Sequence, residues 1–216
     1  MKKQFVVIGC GRFGTSVAEK LTELGNEVMV IDKSEDVVQQ LSDIVTYAVQ
    51  ADPTDENTLK SLGIRNFDVA IVAIGGDIQA STLVTLMIKE LGVKHIIAKA
   101  QNDLHAKVLY RIGADRVVFP EREMGIRVAK KLISENVLDF IELAPEYSIV
   151  EVIALEEWIG KSLKELNIRA QYGINVMAIK NGLNININVD ADEVIKKGDI
   201  LVVIGHNDDI NKINNE

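Results

Sequence analysis

Val7-Ile8-Gly9-Cys10-Gly11-Arg12-Phe13-Gly14 ends a β-branched run that begins at Gln4 and opens a segment of helical periodicity. Eighteen residues beyond Gly14, a second such run ends in Asp32. Strand, glycine triplet, helix, strand and acid in this order form a phosphate-binding βαβ unit. The first glycine, Gly9, permits the tight turn. The second, Gly11, lets the backbone approach a phosphate, and the third, Gly14, lets helix and strand pack closely. The helix start then offers free N–H groups and the positive end of a dipole to an anion. Asp32 is placed to accept hydrogen bonds from both ribose hydroxyls, and its charge opposes a 2'-phosphate. Arg12 lies inside the loop, where an arginine pairs with a phosphate oxygen or stands as a solvated helix-start residue.

Outward from this unit the same pattern repeats through residue 120. Strands are predicted at 4–8, 27–31, 46–50, 69–74, 94–99 and 116–119, each followed by a turn and a helical segment. The fold class is therefore α/β, a Rossmann-type doubly wound parallel sheet. Helix starts are marked by Ser34, by Asp52-Pro53-Thr54 and by Pro120. Asp52 ends the third strand, where an adenosine edge would run, and it also reads as the N-cap of the next helix. From Pro120 to Leu143 the apolar spacing reads as helical throughout, a structured connector over 121–143. Beyond it, 144–216 reads as a small α+β domain, with strands at 147–155, 174–180, 185–189 and 200–204 and a helix over 162–170.

The chain has 216 residues, 47% apolar and 26% charged, the composition of a folded protein. Its longest apolar run, Val69 to Ile74, is far below the roughly 18 residues that span a bilayer. The start of the chain shows no signal-peptide pattern, so an intracellular location is expected. The single cysteine, Cys10, forms no internal disulfide and reads as a small filler between glycines. The net charge is −8, with 17 basic and 17 acidic side chains in residues 1–134 against 7 and 15 in residues 135–216. An acidic second half argues against nucleic-acid binding. The three histidines make no catalytic dyad: His95 reads as a strand-edge residue, His206 as an exposed turn residue and His105 as part of a helix. No zinc-ligand spacing, nucleophile elbow or Walker lysine is present.

Val7 to Gly14, Ala73-Ile74-Gly75, Ala98-Lys99-Ala100-Gln101 and Gly113-Ala114-Asp115-Arg116-Val117 together resemble an RCK (KTN) domain. The second half is similar to the RCK carboxyl-terminal domain through Leu163, Leu166, Gly173, Val176, Ala178, Ile179, Gly198-Asp199 and Gly205. The likeness covers almost the whole chain and is greatest to the cytosolic regulators of Ktr-type potassium transporters. It implies a non-enzymatic regulator that binds ATP or ADP, with NAD(H) as the alternative occupant. It also implies an octameric ring of dimers docked on a membrane-embedded potassium-translocating subunit at the inner face of the membrane.

By position, the resemblance implies that Arg12 and Phe13 with the glycine loop meet the phosphates, that Asp32 and Lys33 meet the ribose, and that Asp52 and Pro53 meet the adenosine end. Ile74, Gly75, Lys99, Gln101 and His105 would complete the pocket wall. Glu121 would help hold a divalent or sodium cation; as a residue it also reads as a first-turn glutamate favoured by the helix dipole. In the second domain the resemblance implies cyclic di-AMP at Ile168, Arg169 and Asn175. Val189 and Ala191 depart from it, standing where relatives often carry a proline. The rival readings are a small NAD-dependent oxidoreductase and an NADH-sensing redox repressor.

Overall fold

Val6, Val7 and Ile8 are all fully buried, which a strand achieves only when both of its faces are covered. The computed structural model describes residues 2–133 and 137–213, in two units, Met1–Glu123 and Met124–Glu216. The first is built on six strands: β1 (Gln4–Ile8), β2 (Glu27–Asp32), β3 (Tyr47–Gln50), β4 (Val69–Val72), β5 (His95–Lys99) and β6 (Arg116–Val118). They form one parallel sheet in the order β3-β2-β1-β4-β5-β6. Parallel neighbours need crossovers, and these are the helices α1 (Arg12–Glu23), α2 (Glu35–Leu41), α3 (Glu56–Ser61), α4 (Ile78–Glu90) and α5 (Asp103–Arg111).

Side chains that alternate along β1 and β4 enter opposite cores. Val6, Ile8, Ala70 and Val72 pack with Val84, Ile88 and Leu109 on one face. Val7 and Ile71 pack with Val28, Val30, Ala18 and Leu41 on the other. The doubly wound sheet expected from the sequence is therefore present.

The next helix, α6, runs over Pro120–Ile133 and is followed by a strand, β7 (Val137–Ala144), where helical spacing was expected to continue to Leu143. Residues 137, 138, 140, 141 and 143 are apolar, a spacing that a short segment satisfies as helix or strand. Pairing decides the outcome: β7 lies antiparallel to β8 (Tyr147–Ile153), with Ala144 opposite Tyr147 across a two-residue turn. With β9 (Asn175–Asn181), β10 (Asn184–Asn186) and β11 (Ile200–His206) these strands form an antiparallel sheet in the order β10-β9-β11-β8-β7.

In β8 and β11 every second residue is buried, so one face carries the core. Val150, Val152, Leu201 and Val203 pack there with Trp158, Leu166, Ile168, Tyr172 and Ile210. The single helix expected over 162–170 is two, α7 (Leu163–Leu166) and α8 (Ile168–Tyr172). Asn167, at φ 45°, breaks them apart in a conformation that asparagine tolerates better than most residues. The strand expected over 185–189 stops at Asn186, whose side-chain oxygen accepts the N–H of Asn188 at 3.0 Å and turns the chain. His206 is the last residue of β11 instead of a turn residue. A final helix, α9 (Asn207–Ile213), closes this unit.

At Gly14 a side chain has no room, because an added Cβ would lie 2.1 Å from the carbonyl oxygen of Gly9. At Gly11 it would meet nothing within 4 Å. Gly14→Ala is therefore expected to destabilise the protein by about 3 kcal/mol, and Gly11→Ala by less than about 1 kcal/mol. Denaturant unfolding of the two variants against the parent measures the difference.

Candidate nucleotide-binding cleft

The strand order reverses between β1 and β4, so the crossovers diverge there and leave a crevice beyond the carboxyl ends of both strands. Gly9, at φ 89°, turns the chain out of β1, and Gly11 starts α1 in an extended conformation without a side-chain cap. No acidic residue stands in the first turn of α1. The starts of three other helices are closed by their own side chains: Asp55 accepts the N–H of Asn57, Asp77 that of Ala80 and Asn102 that of His105. The N–H groups that open α1 remain available to an external anion.

Asp32 holds this loop. Its Oδ2 accepts the N–H of Cys10 at 2.6 Å and its Oδ1 the N–H of Ser34 at 2.9 Å. The carboxylate expected to meet a ribose therefore also fixes the glycine turn, while each oxygen retains acceptor capacity. Cys10 is buried, and burial, followed by the charge of Asp32, pushes its thiol up to about 12. Such a thiol is inert at neutral pH.

The cleft has a volume of about 450 Å³. Among the residues expected at the site, Gly9, Gly11, Arg12, Phe13, Asp32, Lys33, Pro53, Ile74, Gly75, Lys99 and Glu121 line it. Gly76, Asp77 and Ala80 also line it and were not anticipated. Asp77 had a legible signal, since it stands at the N-cap position before α4. Gly14, Asp52, Gln101 and His105 stand outside the lining. Gly14 serves packing, and Asp52 forms an exposed ion pair with Lys33 at 3.1 Å. Asp52 is not the cap of α3, because Asp55 fills that place. It accepts hydrogen bonds from the hydroxyl and N–H of Thr54, and these, with Lys33, hold its carboxyl below the usual range.

At the opposite end of the cleft Lys99 pairs with Glu121. The lysine side chain is 12% exposed and the glutamate 67%. The hydrogen bond from Lys99 holds the Glu121 carboxyl below its ordinary value, helped by a backbone N–H and by the charges of Lys99 and Arg12. Among the described residues no three histidine, cysteine, aspartate or glutamate side chains gather as a metal site.

Behind the wall, the side-chain amide of Gln101 donates to the carbonyl oxygen of Gly75. Its backbone N–H approaches Nδ1 of the buried His105 at 3.4 Å. Burial pushes the His105 pKa down, and its Nε2 has no hydrogen-bond partner. In the second unit Ile168, Arg169 and Asn175 line a cavity of about 620 Å³ together with Lys164, Val189 and Ala191.

Residues 5–120 match the TrkA-N domain and residues 147–216 the TrkA-C domain. The chain is 53% identical, over 98% of its length and 96% of the relative's, to the Ktr system potassium uptake protein C of Bacillus subtilis (strain 168). It belongs to the Ktr potassium uptake family. The Ktr system potassium uptake protein A of the same organism is 49% identical over 99% of this chain and 96% of its own. Among solved structures, a GsuK channel bound to NAD shares the fold at TM-score 0.64 and 19% identity, over 97% of this chain and 38% of the channel chain. The Rossmann fold here thus belongs to a potassium uptake family and not to a family of enzymes. Among the described residues no helix is long and apolar enough to cross a membrane.

A histidine with a depressed folded-state pKa takes up protons more readily when unfolded. The stability it contributes is complete above the unfolded value of about 6.5 and is lost as pH falls through that value towards the folded one. Between pH 7.5 and pH 5.5 the parent protein is therefore expected to lose more unfolding free energy than His105→Gln. Denaturant titrations of both proteins across that window test the difference.

Proposed function

We propose that this member of the family is the cytosolic regulatory subunit of a potassium uptake system, in which ATP or ADP in the cleft gates a membrane-embedded potassium-translocating subunit. The observation that carries this reading is the uncapped start of α1, which faces a cleft bounded by Arg12, Lys99 and Asp32. Free N–H groups and two cations suit phosphates, and the carboxylate suits a ribose. The bound nucleotide supplies phosphate charge that differs between ATP and ADP. Arg12 and Lys99 would balance that charge, Asp32 with Lys33 would orient the ribose, and Pro53, beside the Lys33–Asp52 pair, would bound the adenosine end.

In this reading the chain assembles as dimers into an octameric ring on the inner face of the membrane. ATP and ADP act only by preferring different ring shapes, because a nucleotide that bound both equally would shift nothing. A nearly complete switch needs a preference of roughly 5 kcal/mol over the coupled ring. Glu121 would lend one carboxylate to a divalent or sodium cation, with the remaining ligands supplied from outside this chain's own side chains. Cyclic di-AMP would be a second effector at Ile168, Arg169 and Asn175, where an arginine and an amide suited to a phosphate and a base edge line a cavity of mixed polarity with Lys164, Asn167 and Asp190. NAD(H) is the competing occupant of the first cleft.

Calorimetric titration of the purified chain with ATP, ADP and NADH, repeated on Arg12→Ala, tests the reading. ATP and ADP are expected to bind more tightly than NADH, and the substitution is expected to weaken ATP by about tenfold or more. Preferential NADH binding that ignores Arg12 would replace the regulator reading with that of an oxidoreductase or redox sensor.

A further inference from the structure

His105 is 2% exposed and sits in the first turn of α5, behind the residues that line the cleft. Two hydrogen bonds tie it to the chain just ahead of the helix. Asn102 Oδ1 accepts the His105 N–H at 2.9 Å, and His105 Nδ1 accepts the N–H of Gln101 at 3.4 Å. The exchange is a variant of the capping box, with a histidine in the place that a glutamate or glutamine usually fills. Nδ1 accepts only when it carries no proton, so the ring is the neutral tautomer with its hydrogen on Nε2. Glutamine would close the same box without a titratable group, and the choice of histidine therefore brings in chemistry that capping does not need.

The side-chain amide of the same Gln101 donates to the carbonyl oxygen of Gly75, and Gly75 lines the cleft beyond the end of β4. An unbroken chain of hydrogen bonds thus runs from the imidazole, through one residue's backbone and side chain, to the cleft wall. The charged groups on the surrounding elements are engaged or face water. Asp103 of α5 pairs with Arg122 of α6, Lys99 of β5 pairs with Glu121, and Asp77 ahead of α4 accepts the N–H of Ala80. Lys107 and Arg111 of α5, Lys89 and Glu90 of α4 and Arg116 of β6 are exposed. Burial, and none of these charges, holds the His105 pKa below its ordinary value.

We propose that His105 is a positioning residue that makes nucleotide affinity sensitive to acid: neutral, it holds Gln101 and through it the Gly75 wall, and protonated, it releases both. The proposal rests on the reading of the cleft as a nucleotide site and adds the proton as a regulator of that site. A proton on Nδ1 turns the acceptor into a donor facing the Gln101 N–H, and two donors cannot share the position. Nε2 has no partner either, so a buried imidazolium is unfavourable where the neutral ring sits. The ring takes up the proton by parting from Gln101, which then loses its hold on Gly75. Bound nucleotide favours the held wall and therefore the neutral ring. Affinity is complete above the range in which the ring titrates and falls as pH drops through it, and binding within that range releases protons.

The test is calorimetric titration of the full chain with ATP at about pH 7.5 and about pH 5, on either side of the ordinary histidine value, in two buffers of different ionisation enthalpy. Thermal melting at both pH values confirms that each variant is folded. Protonation of ATP itself is common to every variant, so the parent is read against His105→Gln, which keeps an acceptor for the Gln101 N–H and cannot titrate. Between the two pH values the parent is expected to lose about fivefold more affinity than this variant, and in acid to release protons on binding that the variant does not. Gln101→Met keeps the histidine and cuts the link to Gly75. It is expected to lack the acid step as well, an independent readout should His105→Gln fail the melting control. A parent whose pH dependence matches that of the folded variants overturns the proposal. So does a parent that gains affinity in acid relative to them, since an imidazolium charge would then be attracting phosphate with no loss of position. A parent chain that binds ATP at neither pH overturns the nucleotide reading itself, and this proposal with it.

Discussion

The closeness of α1 to β1 is the constraint on which the functional end of the molecule depends. With no side chain at Gly14, the first turn of the helix packs against the carbonyl of Gly9, and Gly9 can leave β1 at a positive φ. The Asp32 carboxylate then takes the N–H of Cys10 from across β2 and stops the loop from relaxing. These three features aim the uncapped end of α1 into the crevice at the strand-order reversal. Moving any one of them would turn the same N–H groups towards solvent or into the protein.

Charge in the cleft follows the same frame. Three cations at or beside the rim are each held by a neighbour: Lys33 by Asp52, Lys99 by Glu121, and Arg122, just outside, by Asp103. Exposed pairs of this kind stabilise a fold by little. Their value is positional, since a cation already paired with a carboxylate can exchange that partner for a phosphate without passing through an unpaired state. Lys99 is the most buried of these cations, so loss of its carboxylate partner would cost most there.

Much of this was legible in the chain. The six strands of the parallel sheet were readable because a strand buried on both faces must be apolar almost continuously and be punctuated by turn residues. The glycine loop, Arg12 and Asp32 were readable because their spacing follows from βαβ geometry. The change from helix to strand after Ile133 was not, since the apolar residues of 137–143 satisfy either periodicity and the choice came from the β8 backbone. Nor was the role of Asp52, because Asp52 and Asp55 both offer a carboxylate ahead of α3 and only the folded chain shows that Asp55 caps it.

Local chemistry written in the sequence thus determined the element types of the first unit, the anion-receptive turn and the family to which the chain belongs. The tertiary structure decided which side chains share the cleft. Gln101 and His105 support its wall from behind, Lys99 crosses Gly75, and Glu121 meets Lys99 from 22 residues away. The physical reason is range: glycine conformation, caps and strand periodicity act within a few residues, whereas an ion pair across a crevice depends on where two distant strand and helix ends come to rest.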